Sequence, residues 1–139
     1  MSDTMTYSLT PVGFIQSSLK SRREAPKQGS EGAPDAWLEM VPAVERGLKG
    51  ITVGQEIILL TWFHRARRDV LKVHPRNDKN VPLSGVFATR SPDRPNPIGL
   101  HRVRVLEIVE NRLRVGPLEA VNGTPIVDIK PVLPRNSDS

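Results

Sequence analysis

The chain has 139 residues, of which 37% are apolar and 25% charged, which fits one soluble globular domain with a real core. It has no cysteine, which excludes disulfides, Cys-based zinc sites and thiol nucleophiles. The net charge of +5 is compatible with a polyanionic partner and equally with plain solubility.

Thirteen prolines and ten glycines cut the chain into short segments, which favours strands and turns over long helices. Ser8 to Ser17 reads as a first strand. Ser18 to Asp35 is poor in apolar residues and is expected to be a long exposed loop, a kind of segment that is usually functional or disordered. Trp37 to Met40 reads as a strand. Val41 to Leu48 fits one or two helical turns, with Pro42 early and Gly47 near the stop.

Ile57-Ile58-Leu59-Leu60-Thr61-Trp62-Phe63 is a continuous apolar run, read as a strand covered on both faces. Val70 to His74 is a short strand, Asn77 to Pro82 a turn, and Gly85 to Thr89 a strand end. Arg90 to Pro97 carries Pro92, Pro95 and Pro97 and cannot be regular structure. Gly99 to Val109 alternates in polarity as a long strand. Asn111-Arg112 turns into Leu113 to Leu118, Val121-Asn122-Gly123 is a turn, and Pro125 to Leu133 is the last strand. Residues 1–6 and the tail from Arg135 read as frayed ends around one domain over residues 7–134.

Short strands with regular turn signals point to a barrel or a sandwich. The Gly-x-Gly-x-x-Gly fingerprint, the P-loop and the Gly-x-Ser-x-Gly nucleophile motif are all missing. His64, His74 and His101 lack the spacing of metal ligands, so no metal is expected. No apolar run reaches the length of a membrane span, and the first residues do not read as a signal peptide. No membrane attachment is expected, and a cytoplasmic location is the default.

Four stretches carry candidate chemistry. On the proline-fixed loop, Arg90 and Arg94 bracket Asp93, an arrangement suited to a carboxylate or phosphate. Arg90 can equally brace the loop through backbone carbonyls. On the last strand Asp128 and Lys130 share one face, as part of a pocket or as a structural ion pair. At the end of the apolar strand, His64 stands at a pocket mouth or caps the strand. The ribbon Arg65, Arg67, Arg68, Lys72, His74 and Arg76 suits phosphate contact, or is a solvated face. In the long loop, Pro26-Lys27-Gln28 folds over a ligand or is a linker.

Gly85 to Leu100, with Ala88-Thr89-Arg90-Ser91 and Arg94-Pro95-Asn96-Pro97-Ile98-Gly99 in order, resembles the signature of the TrmO family, also called the YaeB or VirR-like family. Val12-Gly13-Phe14-Ile15, Trp62-Phe63-His64, Asn122-Gly123-Thr124-Pro125 and Asp128-Ile129-Lys130-Pro131 resemble the family's other elements. The similarity runs from about Tyr7 to Pro134. It implies an all-β fold: a small single-domain β-barrel with a short helical turn and a long N-terminal loop. It further implies S-adenosylmethionine as cofactor, a homodimer, and N6-methylation of a threonylcarbamoyl-modified adenosine beside the tRNA anticodon. Carried over residue by residue, the cofactor contacts fall on Pro26, Lys27, Gln28, His64, Arg65, Arg90, Leu100, Asn122, Gly123, Thr124 and Pro125.

Lys27 stands where the family has Arg, Arg65 where it has Gln, and Asn122 where it has Asp. The bacterial tRNA enzymes of the family carry a further C-terminal domain, and this chain is expected to be a short form that stops after the barrel. Asp128 is the local candidate for accepting a proton, with Lys130 orienting it. Arg67, Arg68, Lys72 and Arg76 are the candidate RNA contacts. Two other classes compete with an enzyme: a cofactor-binding sensor or regulator, and a basic nucleic-acid-binding barrel without cofactor.

Overall fold

The structure, a computed structural model, describes residues 4–21 and 32–134. Its strands are β1 (Gly13–Gln16), β2 (Ala36–Met40), β3 (Glu56–Trp62), β4 (Lys72–Val73), β5 (Ser84–Gly85), β6 (Ile98–Val109), β7 (Arg112–Gly116) and β8 (Pro125–Pro131). Six of them close an antiparallel barrel in the order β1-β2-β7-β6-β3-β8, and β4 pairs with β5 in a separate two-stranded sheet. The expectation of a barrel holds. Closure pairs each of the six barrel strands on both sides, which leaves the barrel no exposed sheet edge.

Period-2 alternation fills the interior. Ile15, Leu38, Met40, Ile57, Leu59, Val103, Val105, Leu113, Val115 and Ile126 all point inward and are buried. Fully burying a side chain of this kind contributes roughly 1.5–3 kcal/mol, so the apolar lattice is what the strands fold around. The 3-10 segment Pro42–Leu48 closes one end, with Val44 and Leu48 packed against the core. This is the short helical turn expected after the Trp37 strand.

Several local expectations shift. The first strand starts at Gly13, because Pro11 has no N–H for a ladder and pairing begins with Val12 N donating to the Ile126 carbonyl at 2.8 Å. The segment expected from Val70 to His74 forms strand only at Lys72–Val73, opposite an equally short β5. Beyond Gly85 the chain does not extend. Val86–Ala88 is a 3-10 turn in which Thr89 N returns to the Val86 carbonyl at 3.0 Å. The β6–β7 hairpin turns at Glu110, whose φ is 56°, one residue before the expected pair.

The apolar run in β3 is covered on one face only. Ile57, Leu59 and Thr61 are buried in the barrel, whereas Ile58, Leu60 and Trp62 on the outer face are half-buried. A barrel wall has one interior, so a two-sided apolar strand leaves its second face turned outward.

β8 carries a bulge. Leu60 pairs with Asp128 but Thr61 pairs with Ile126, which leaves Val127 out of register. Asp128 and Lys130 therefore share a face as expected, but Val127 and Ile129 do not simply alternate opposite them.

Candidate functional site

The strand directions gather one rim. The ends of β1 and β3 meet the starts of β6 and β8 there, through the pairs Trp62–Ile98, Thr61–Ile126 and Phe14–Pro125. Two of the four sequence stretches, the proline loop and the segment from Phe63 to Arg68, converge on this rim, together with the turn at Asn122 that leads into the Asp128 strand. The fourth, Pro26, Lys27 and Gln28, lies outside the described residues.

The proline loop is locked from inside. Arg94 donates from Nε to the Ser91 carbonyl at 2.7 Å, and from Nη2 to the carbonyls of Val86 at 2.8 Å and Thr89 at 2.5 Å. Asp93 accepts from Arg67 N at 2.9 Å, and Arg94 N donates back to the Arg67 carbonyl at 3.0 Å. Arg68 stacks its guanidinium 5.1 Å from the Trp62 ring centroid and donates to the Pro95 carbonyl and to Asn96 Oδ1. Phe63 N completes the weld on the Pro97 carbonyl at 2.8 Å.

Arg90 stands apart from this network. It is exposed and has no hydrogen-bond or ion-pair partner among the described residues. The bracing role that the sequence left open to Arg90 belongs to Arg94. Arg90 presents a free guanidinium on a rigid frame, the arrangement that a carboxylate or phosphate requires.

The Asn122 turn joins β1 to β8. Asn122 Oδ1 accepts from Ser17 N at 3.0 Å, Asn122 N donates to the Leu19 carbonyl, and Gly123 N donates to the Ile15 carbonyl. Gly123 has a φ of 87°, where a side chain is strained. The Thr124 hydroxyl is buried on the Val121 carbonyl. Side chains of this turn are thus occupied in shaping the rim, and Gly123 is its exposed point.

His64 and Arg65 follow β3 onto the rim. Arg65 Nη1 donates to the Lys20 carbonyl at 3.0 Å and so ties the segment that follows β1 to the one that follows β3. Partial burial, reinforced by the Arg65 charge, lowers the His64 pKa below its ordinary value and favours the neutral imidazole.

Leu100 is not on the rim. It lies exposed on the outer face of β6, opposite Leu60, which in turn pairs with Asp128. Leu100, Leu60 and Asp128 thus form one row across three strands. Asp128 Oδ2 faces Lys130 Nζ at 3.5 Å on the exposed surface, and Oδ1 accepts from Ile129 N. Asp128 also borders a cleft of about 380 Å³ between Val44, Leu48 and Ile51, at the barrel end away from the proline loop. The structure does not bring Asp128 and Lys130 to the rim cluster, and their mutual contact is that of a surface ion pair.

The basic ribbon is less free than its sequence suggests. Arg67 pairs with Asp69 through two hydrogen bonds of 3.1 Å, and Arg68 braces the proline loop. Arg76 has an interaction of its own. Lys72 alone of the four proposed RNA contacts is exposed with no hydrogen-bond or ion-pair partner among the described residues.

One polar cluster was not singled out in the sequence. Inside the barrel, beneath the rim, His101 is 3% exposed. Its Nε2 meets Thr61 Oγ1 at 2.7 Å, and its Nδ1 meets Glu119 Oε1 at 2.5 Å. The Phe63 ring stands edge-on at 5.8 Å. The inward-facing period of β6, His101 falling in step with Val103 and Val105, was the available signal. The acid partner, 18 residues further on, was not deducible from spacing.

The sequence matches the model of the tRNA-methyltransferase O N-terminal domain over residues 14–139. The chain belongs to the TrmO N-terminal domain family. Among its relatives is an S-adenosyl-L-methionine-binding protein of Archaeoglobus fulgidus, 40% identical over 127 residues, with 91% of this chain and 90% of the relative covered. A second Archaeoglobus fulgidus protein, named as a probable S-adenosyl-L-methionine-binding protein, is 46% identical over 127 residues. That match covers 91% of this chain but only 34% of the relative. The crystal structure of TrmO from Pseudomonas aeruginosa superposes with a TM-score of 0.77 at 32% identity, covering 98% of this chain and 59% of the other. The chain therefore spans about a third of the one relative and three fifths of the TrmO chain.

Proposed function

We propose that this TrmO-family barrel binds S-adenosylmethionine at the rim and transfers its methyl group to N6 of a threonylcarbamoyl-modified adenosine in tRNA. The observation that carries the reading is the contrast between Arg94, fully engaged in bracing the proline loop, and Arg90, exposed on the same loop without a partner among the described residues. The family and the relatives named for S-adenosylmethionine binding support it.

The residues fit the cofactor's chemistry. A free guanidinium suits a carboxylate, and an imidazole held neutral does not repel a sulfonium cation. Arg90, His64, Arg65 and the Asn122–Pro125 turn would hold it, with Pro26, Lys27 and Gln28 of the β1–β2 connection, and a cofactor that extends from the rim onto the outer face of β6 would reach Leu100. When bound, S-adenosylmethionine supplies an electrophilic methyl group. The chain's own contribution is then mainly orientation, because holding the acceptor nitrogen in line supplies much of the rate. Asp128 shares the outer-face row of Leu100 and would accept a proton from a substrate held over that face, with Lys130 orienting it.

In this reading residues 7–134 form one domain, the protein works as a homodimer, and it acts in the cytoplasm. Purified protein is expected to bind S-adenosylmethionine in calorimetry and to methylate total tRNA from a strain lacking this gene. Binding without methylation of any tRNA nucleoside would favour a sensor. No heat at millimolar ligand would remove the cofactor reading altogether.

A further inference from the structure

We propose that Phe87 is a stacking platform for an unpaired base of the RNA, with Lys72 as its phosphate contact. This rests on the reading of RNA as substrate, and it names how the strand is held beside the rim.

Phe87 is 80% exposed, a costly position for a phenylalanine in water. The backbone beneath it is fixed. Val86 is buried, its N donates to the Leu71 carbonyl at 2.9 Å, and its carbonyl accepts from Arg94 and from the Thr89 hydroxyl. The ring therefore projects from a pinned 3-10 turn rather than from a loose loop. Leu71, joined to Val86 by that hydrogen bond and 65% exposed, extends the apolar surface.

Cations border this apolar point. Lys72 pairs with Gly85 across β4–β5, and Arg90 stands three residues beyond Phe87, both side chains without partners among the described residues. A second protein surface would favour apolar neighbours or acidic partners for these cations. A flat π-face flanked by unpaired positive charge matches a single-stranded nucleic acid, whose bases stack while its phosphates meet the cations. The net charge of +5 has the matching sign.

The test compares Phe87→Ala, Phe87→Leu, Phe87→Trp and Lys72→Ala with the parent chain, in filter binding to total tRNA across a salt series. Phe87→Ala is expected to weaken binding about 5- to 100-fold without changing the salt slope, because it removes a stacked base and no phosphate contact. Phe87→Trp should hold the parent affinity, and Phe87→Leu should behave as Phe87→Ala. Lys72→Ala should flatten the log–log slope by about one unit. Calorimetric affinity for S-adenosylmethionine and the mass by light scattering should stay those of the parent in every variant. Parent-like RNA binding by Phe87→Ala or Phe87→Leu overturns stacking. A change of mass in Phe87→Ala overturns it in favour of a contact between copies. A parent chain that binds cofactor but no tRNA at any salt overturns the RNA reading itself and the platform with it.

Discussion

The Nη2 atom of Arg94 donates to the Val86 carbonyl at 2.8 Å, across eight residues of chain. That bond ties the turn bearing Phe87 to the proline loop bearing Arg90. Two arginines four positions apart thereby acquire different work: Arg94 faces inward onto three carbonyls, and Arg90 faces solvent.

The two arginines should separate in measurement. Arg94→Ala is expected to cost roughly 1.5–3 kcal/mol of stability, since it removes charged hydrogen bonds to three backbone acceptors. Arg90→Ala should change stability by no more than about 0.5 kcal/mol, as for other unpartnered surface groups. It should instead weaken S-adenosylmethionine binding by roughly 1.5–3 kcal/mol. Urea unfolding and calorimetry on both variants check this, and a destabilised Arg90→Ala chain would return Arg90 to a bracing role.

Arg68 should behave as part of the frame. Arg68→Ala removes its bonds to Pro95 and Asn96 and its stacking on Trp62, and a loss of about 1–2 kcal/mol in urea unfolding is expected. Arg67, exposed and paired through its side chain with nearby Asp69, should leave stability nearly unchanged when replaced by Ala. If Arg67 touches one phosphate, its loss flattens the salt slope of RNA binding by about one unit. An unaltered slope marks it as a solvated charge.

The buried cluster makes a sharper stability prediction. His101→Ala leaves the Thr61 hydroxyl and the Glu119 carboxylate without their partner in the barrel. Each unsatisfied group costs about 1–3 kcal/mol, so a loss of about 3 kcal/mol is expected. Glu119→Gln keeps an acceptor oxygen and should lose less. Equal urea midpoints for His101→Ala and the parent would show that the cluster contributes no net stability.

Gly99 is fixed by close approach. A Cβ there would overlap Thr61 Oγ1 and stand 2.5 Å from Phe63 Cζ and 2.8 Å from His101 Nε2. Gly99→Ala should cost roughly 1–3 kcal/mol, the range for overpacking. At Gly47 a methyl group would meet nothing within 4 Å, so Ala should be accepted there with little change. Thermal unfolding of the two variants makes the comparison.

His64 sets a pH dependence. Its folded pKa lies below the ordinary 6.5, because burial and Arg65 disfavour the cation. Between those two values the unfolded chain binds more protons than the folded one, so stability rises with pH across that window. Above 6.5 the neutral ring costs nothing. As pH falls from there through the folded value, stability is lost, and below it the loss is constant. His64→Gln should remove this slope, and an NMR titration of the ring should give a midpoint below 6.5. If His64 touches the cofactor, sulfonium binding should weaken through the same window.

Much of the architecture lay open in the chain itself. Alternation in polarity along β6 determines which of its side chains face a core. Prolines 92, 95 and 97 forbid regular structure in the loop that carries Arg90. The ordered blocks from Gly85 to Leu100 and from Asn122 to Pro131 determine the family. These are local properties, set by periodicity, by φ restriction and by residue order. Tertiary structure alone decided how the polar groups divide. Arg90 and Arg94 have the same chemistry, and only the positions of the Val86, Thr89 and Ser91 carbonyls make one a brace. Arg67 and Arg68 read alike as ribbon, yet Trp62 and the Pro95 carbonyl claim Arg68. His101 finds Glu119 only because β6 passes beside the chain that follows β7. Asp128 and Lys130 remain together but away from the loop cluster, because a barrel wall separates its rim from its outer face. Hydrogen bonds between distant segments depend on closure of the barrel, and closure is not written in any one stretch of sequence.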